Sequence, residues 1–424
     1  MLEAAVGVSR NWDPFIAGMD VAEKVLSKLS AEPKFVLLFA TIHYEKNGGF
    51  ERLLAGFHSK LPPNVPLVGG TVSGATTPDG CFTRGAFAAA VSGDKVEALP
   101  SIGFNVKRDP RAAAARCADG ARAVSCRGER KTKFTFANVS NGTIPPMPFF
   151  GRKRILRMPF GRVALLFLET VGSFMQYGVG RETEFFNEFS KRMPDSTILF
   201  ASNYDNNRSL SNYQFFNHEV HMNAAAAMSI AVDADFVTNA TFGLKPTNVK
   251  FKISHVGLHG CSFGRVDGKN ATNRVCELLG WPEGYLNEYV YRRTYYYPLV
   301  SSHDGMIYPH VMGLFIGHHV VCTYKFDTDD IEVYSASGSS MLGAVKENLE
   351  MIPKDKKPVL GLGVECTARL EALGSEINKV RDEMDKTFKG APYLVVYTAG
   401  EGLYKPGKPA SFFNESFILS TLLV

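Results

Sequence analysis

The chain has 424 residues, 45% hydrophobic and 21% charged. That is ordinary for a globular protein of two or three domains, with apolar material enough for a core without disulfides or a metal. Seven cysteines, at 81, 117, 126, 261, 276, 322 and 366, are scattered with no C-x-x-C pair, which excludes a zinc ribbon, a thioredoxin-like motif and a secreted disulfide scaffold.

The odd cysteine count fits a reducing compartment. The opening MLEAAVGVSRNWDPF has neither the basic region nor the apolar core of a signal peptide. The least charged long stretch, 297–324, carries Asp304, several histidines and Pro309 and does not read as a membrane span. A cytoplasmic protein is expected. The net charge of +5 is unevenly placed: residues 127–162 hold nine Lys or Arg against one Glu, with four prolines. This reads as a solvated insertion, with a contact for anionic lipid or nucleic acid as the sharper alternative. No zinc finger, RNP sequence or basic helix accompanies it, so nucleic acid is not an expected partner.

In chain order, AAVGVS is a short strand, followed by a helix with Val21, Val25, Leu26 and Leu29 on one face. FVLLFAT, 35–41, reads as a strand buried on both sides. A helix with Leu53, Leu54, Phe57 and Leu61 stops at Pro62 and Pro63. PLVGGTVSG and GAFAAAVSG are the next strands.

An internal repeat follows. VALLF at 163–167 echoes FVLLF at 35–39, and the helix of Phe185, Phe186, Phe189 and Met193 echoes that of Leu53, Leu54, Phe57 and Leu61. Leu199 to Ser202 echo Leu67 to Gly70. Strand, helix, proline stop and second strand in one order predict a duplicated N-terminal module. Trp281-Pro282-Glu283-Gly284 marks an expected boundary, giving modules 1–284 and 285–424. The second holds strands near 310–316, 320–326 and 331–335, a helix at 341–351, a strand at 358–365, a long helix over 367–388, and strands at 393–397 and 417–424. The expected class is α/β (α+β): layered mixed sheets with outer helices.

Candidate chemistry concentrates in GLGVECTARLEALGSEINKVRDEM. On one continuous helix Leu370, Leu373, Ile377, Val380 and Met384 form an apolar stripe, and Arg369 and Glu376, seven apart, stack at its border. Cys366 falls at the helix start, among free backbone N–H groups.

A strand ending in Cys, an Arg three residues on and a Glu within a long helix resembles the C-terminal module of the FIST (F-box and intracellular signal transduction) family. YLVVYTAGEG with Glu401, FFNES with Asn414, and the upstream TYYYPLV are similar to the rest of that module. VLLFAT, VPLVGGTVSG and VDGKNA resemble its N-terminal module. The resemblance spans roughly 33–420. Ser416 departs from the usual Thr, and the second repeat lacks the Gly-Gly pair. The family implies a sensory domain that binds a small ligand, an amino acid or related metabolite, with no cofactor. No kinase, cyclase or receptor signature is present, so output passes to a separate signalling protein.

In that frame Arg369 grips a carboxylate bidentately, Glu376 and Glu401 accept an ammonium, and Asn414 donates and accepts. The alternative is a buried tie of Arg369 to Glu376 or Glu401. Gly69, Gly70 and Thr71 form a candidate anion-binding turn, or glycines permitting a tight strand exit. Cys366 is a candidate nucleophile, with His303, His310, His318 or His319 as base, against the plainer reading of a core thiol. His255, His259 and Cys261 are a weak metal pattern, and His218 and His221 weaker still; no metal is expected. Three classes stay open: sensor, protein-interaction scaffold and cysteine-dependent enzyme.

Overall fold

The computed structural model describes residues 1–125, 132–146, 151–178, 180–303 and 305–424. Residues 127–131 and 147–150 of the basic segment lie outside the described residues. Three units with one strand order make up the body.

The first unit runs β1 (Glu3–Ser9), α1 (Pro14–Leu26), β2 (Phe35–Thr41), α2 (Phe50–His58), β3 (Leu67–Val72), a hairpin of β4 (Gly74–Thr77) and β5 (Gly80–Phe82), then β6 (Ala86–Ser92). Asp13 caps α1 by accepting from the Ile16 N–H, and Pro14 follows at the first helical position. β2 pairs antiparallel with β6 and parallel with β3.

The second unit repeats this as β7 (Val96–Phe104), α3 (Pro110–Ser125) and β8 (Thr132–Val139). An excursion follows, carrying β9 (Ile155–Leu156) and α4 (Gly161–Phe167), before α5 (Glu182–Arg192) and β10 (Thr197–Ser202). A hairpin of β11 (Gln214–Phe216) and β12 (Glu219–His221) and the return strand β13 (Ala224–Val232) complete it.

The third unit opens with β14 (Asp235–Thr241) and is interrupted by a lobe. The lobe comprises β15 (Leu244–Ser254), β16 (Ser262–Phe263), β17 (Arg265–Val266), β18 (Lys269–Asn270), α6 (Ala271–Leu278), α7 (Val290–Thr294), β19 (Leu299–His303), β20 (Met306–His310), β21 (Met312–Ile316), β22 (His319–Cys322) and β23 (Asp330–Ala336). The unit resumes with α8 (Gly338–Glu350), β24 (Pro358–Cys366), α9 (Thr367–Leu373), α10 (Ile377–Phe388) and β25 (Tyr393–Thr398). Its hairpin is β26 (Glu401–Tyr404) and β27 (Ser411–Phe413), and β28 (Phe417–Leu423) returns. The expected boundary at 284 falls inside the lobe.

Each unit builds four strands of a six-stranded sheet, and the last two come from another unit. The orders are β1-β6-β2-β3-β11-β12, β7-β13-β8-β10-β26-β27 and β14-β28-β24-β25-β4-β5. The hairpins are thus exchanged in a ring. Where the chain crosses between sheets, strand ends bind one another through the backbone. The N–H of Tyr204 donates to Thr71 O at 2.9 Å, Ser73 to Tyr397 O at 2.9 Å and Ser202 to Gly400 O at 2.8 Å.

Period-two alternation explains the continuous apolar strands. Phe35, Leu37 and Phe39 of β2 enter a core shared by all three sheets, while Val36, Leu38 and Ala40 lie beneath α1 and α2. β25 does the same: Leu394 and Val396 face the shared core, and Tyr393, Val395 and Tyr397 face α8 and α10.

The expected repeat is present, with three copies rather than two and one pairing corrected. The counterpart of β2 is β8, parallel to β10 as β2 is to β3. VALLF at 163–167 is helical, in α4, with Val163, Leu166 and Phe167 exposed. In the first unit the strand lies just before the helix. In the second the excursion intervenes, so the segment nearest α5 is not the strand. The expected helix over 367–388 is also two helices, broken at Gly374, whose φ is 52°.

The candidate anion-binding turn is a paired strand. A Cβ on Gly69 would lie 1.6 Å from Leu38 O, and one on Gly70 would lie 2.5 Å from Asn203 Nδ2. The Thr71 N–H is engaged by Tyr213 O. Gly69 permits the close approach of the Leu38 backbone, and Gly70 admits Asn203, which donates to Thr71 O at 3.2 Å and accepts from Asn138 Nδ2 at 2.9 Å and Gln214 Nε2 at 3.0 Å. Asn203→Ala is expected to lower unfolding free energy by about 2–4 kcal/mol, read by urea denaturation, because it strands buried polar groups and opens a cavity.

Candidate functional site

The carboxyl ends of parallel strands are where open α/β sheets receive ligands. Here a cavity of about 100 Å³ lies over those of β10, β24 and β25. Its floor is Cys366, Thr367, Ala368, Thr398 and Ala399, and its rim is Asn141 to Ile144 beyond β8. The lobe supplies Tyr291, Tyr295, Val311, Gly313, Leu314 and Val321 to Thr323, and the second unit's excursion supplies Arg154 and Gly178. Pairing of β9 with β21 holds excursion and lobe together.

Arg154 is the charged side chain in the cavity wall. It is 7% exposed. Its guanidinium donates to Asn207 O at 2.9 Å, Ser209 Oγ at 3.0 Å and Gly313 O at 3.1 Å, and lies 4.0 Å over the Tyr291 ring. Among the described residues no carboxylate pairs with it. Neutral oxygens and a π face position the cation without neutralising it. Beside the rim, buried Lys107 donates to Thr143 Oγ1 at 3.0 Å, and buried Glu182 accepts from the Gly142 N–H at 3.0 Å. Burial pulls Lys107 down to about 8 and pushes Glu182 up to about 7, each moderated by the other's charge.

Among the described residues, Arg369 bonds to none of Glu376, Glu401 and Asn414, the residues expected around it. Arg369 and Glu365 are fully buried and joined at 2.8 Å. The remaining Arg369 donors reach Phe242 O at 2.6 Å and Met341 O at 2.9 Å. Its acidic partner is therefore Glu365, neither Glu376 nor Glu401. Glu376 lies beyond the helix break, part-exposed and paired with Lys379. Spacing misled because stacking seven apart requires one unbroken helix.

Glu401 and Asn414 stand directly behind the cavity. Glu401 accepts from Thr398 Oγ1 and Ser416 Oγ, both at 2.9 Å. Asn414 donates to Ala399 O at 2.8 Å and accepts from Thr323 Oγ1. Cys366 lines the floor, and burial pushes its thiol well up, so it is a neutral thiol near pH 7. No histidine lines the cavity among the described residues. His310 is buried against Ser301, and burial lowers it to about 3. His259 is engaged by Glu169 O and Ser173 Oγ, and no group of metal-binding side chains occurs among the described residues.

Arg154 was not singled out from sequence. It sits in the basic segment as one of nine cations, and only the pairing of β9 with the lobe turns it inward.

Repeated α/β units closing a cavity over strand carboxyl ends define the class as a layered α/β domain protein. The FIST N domain matches residues 34–260, more than half of the chain, and the chain belongs to the FIST family, whose domains are sensory modules of signalling proteins. No curated protein matches. Among solved structures, PurLQS from Thermotoga maritima aligns with 11% identity over 100% of this chain and 72% of its own, at a TM-score of 0.20, too low to carry an argument. No helix among the described residues is long and apolar enough to cross a membrane.

Two predictions separate the buried cluster from the cavity. Arg369→Ala strands Glu365 in the core and is expected to cost about 3–5 kcal/mol of stability by chemical denaturation. Glu415, beside this cluster, is buried with no hydrogen bond to either oxygen among the described residues. Burial raises it to about 8 from an ordinary 4.5, with Arg369 opposing. The folded state then holds a proton that the unfolded chain releases. The stability this contributes is complete below pH 4.5 and lost as pH rises through 8. Glu415→Gln should flatten the fall in unfolding free energy over that window, by an amount on the order of a few kcal/mol, read by urea denaturation across pH.

Proposed function

We propose that this chain is a sensory protein that binds a small carboxylate, such as an amino acid or related metabolite, in the cavity beneath the lobe and reports occupancy to a separate signalling protein. The observation that carries this reading is Arg154, a buried cavity-wall cation with no carboxylate partner among the described residues. A buried unpaired charge is costly, and an anionic ligand offsets that cost with charge-assisted hydrogen bonds. Apolar and aromatic walls with few polar anchors suit a small ligand.

The ligand's carboxylate meets Arg154, and its remaining atoms lie against Tyr291, Tyr295 and Cys366. Glu401, Asn414 and Arg369 hold the floor from behind. A ligand that touches both floor and lobe favours whichever arrangement of the two it binds more tightly, and this differential affinity shifts the population that a partner reads. The elevated thiol of Cys366 and the lack of a lining histidine among the described residues weigh against the enzyme alternative. A ligand-free scaffold is the remaining one.

Thermal-shift titration with amino acids and small carboxylates tests the reading. A true ligand at about 100 times its Kd adds about 2.7 kcal/mol. Arg154→Met is expected to abolish that gain while the protein stays folded. A midpoint that moves with no carboxylate, or that moves equally in Arg154→Met, would overturn the proposal.

A further inference from the structure

The excursion that delivers Arg154 also carries a helix with an uncovered apolar face. From Gly161 it runs through α4 and continues as a π-helical turn, Leu168–Gly172. Its underside is anchored: Leu165 and Leu168 pack with Leu156, Cys261, Ile316 and Val321. A Cβ on Gly161 would meet Ile316 O at 2.5 Å, so the helix lies hard against the lobe. The outer side carries Phe160, Val163, Leu166, Phe167, Phe174 and Met175, all exposed, with Phe160 at 74% and Phe174 at 63%. Leu258, 65% exposed, extends the patch from a neighbouring loop that shares a groove with Leu165 and Leu166. Scattered exposed apolar residues are ordinary; several large ones contiguous on one helix mark an interaction surface.

The charge around this face selects the occupant. Arg152, Lys153, Arg157 and Arg162 are exposed on the approach to the helix, and the Arg108 guanidinium sits 4.4 Å over the Phe174 ring. The sole carboxylate in 151–178 is Glu169. It is buried, accepting from the Leu258 N–H at 3.1 Å and Ser262 Oγ at 3.3 Å. The outward surface of this segment is therefore cationic and apolar with no exposed acid. A protein groove for an amphipathic helix does not require that one-sided charge, whereas an anionic bilayer does: acyl chains take the aromatic and aliphatic side chains, and lipid phosphates and carboxylates take the cations.

We infer that this face docks the protein peripherally on an anionic lipid bilayer, the helix lying in the interface plane. The same excursion supplies Arg154 to the cavity, so membrane contact and ligand contact act on one segment.

The test is co-sedimentation of the full chain with phosphatidylcholine vesicles, with and without about 30% phosphatidylserine. Binding is expected on the anionic vesicles only, and at about 0.5 M salt it should drop several-fold through screening. Phe167→Glu with Phe174→Glu should lower the bound fraction about tenfold, and Lys153→Glu with Arg162→Glu should remove the lipid selectivity. All four positions are exposed, so melting temperatures should stay near wild type. Leu166→Trp supplies a direct probe, its emission moving to the blue on anionic vesicles. Absence of binding to anionic vesicles, or binding untouched by the Phe167/Phe174 pair, would overturn the inference. So would self-association that the same pair abolishes without any vesicle binding, which would assign the face to a second copy of the chain. A null result in the carboxylate titration leaves this test unaffected, because the vesicle measurement needs no cavity ligand.

Discussion

The crossing of three strand ends at the middle of the body is the constraint on which the rest depends. β3, β10 and β25 each stop where the chain leaves for another sheet, and the backbone bonds from Tyr204 to Thr71, Ser73 to Tyr397 and Ser202 to Gly400 close the ring. No unit completes its own sheet. Without its neighbour's hairpin, each would expose a central strand as an open edge. The three units are therefore obligatory partners, and most stabilising contacts join residues far apart in sequence. That arrangement forces small residues and buried amides into the centre. Gly70 leaves room for Asn203, which satisfies groups from two sheets at once.

Crowding at the centre also decides where a cavity can exist. Interdigitated side chains fill the shared core. Space remains above the strand ends, where the third unit's lobe and the second unit's excursion arch over the floor. Two arginines illustrate the difference. Arg369 lies within the body, matched by Glu365 and two carbonyls, and serves as a structural tie. Arg154 lies at the seam between body and lobe, held by neutral groups, and keeps its charge available. Both are buried, yet only the second faces open space.

Much of the frame was legible in the residues. β2 at 35–41 and the helices containing Leu53 to Phe57 and Phe185 to Phe189 follow from local apolar periodicity, which burial on two faces enforces. The family assignment drew on VPLVGGTVSG, which lies within the match over 34–260, and on GVECTAR, which lies beyond it. The failures share one cause. VALLF at 163–167 looks like a strand because its residues are apolar, but it is a helix that buries Leu165 and turns Val163, Leu166 and Phe167 outward. Glu376 looks stacked under Arg369 because spacing assumes an unbroken helix, and Gly374 breaks it.

What the sequence by itself determined is therefore the local periodicity, the α/β class, the repeat and the family, since each depends on residues within a few turns or strands of one another. The exchange of hairpins, the third copy of the unit, the pairing of Arg369 with Glu365 and the inward turn of Arg154 were decided by tertiary structure alone. Their partners lie in other sheets or in the lobe, and only the folded backbone brings those groups within hydrogen-bonding distance.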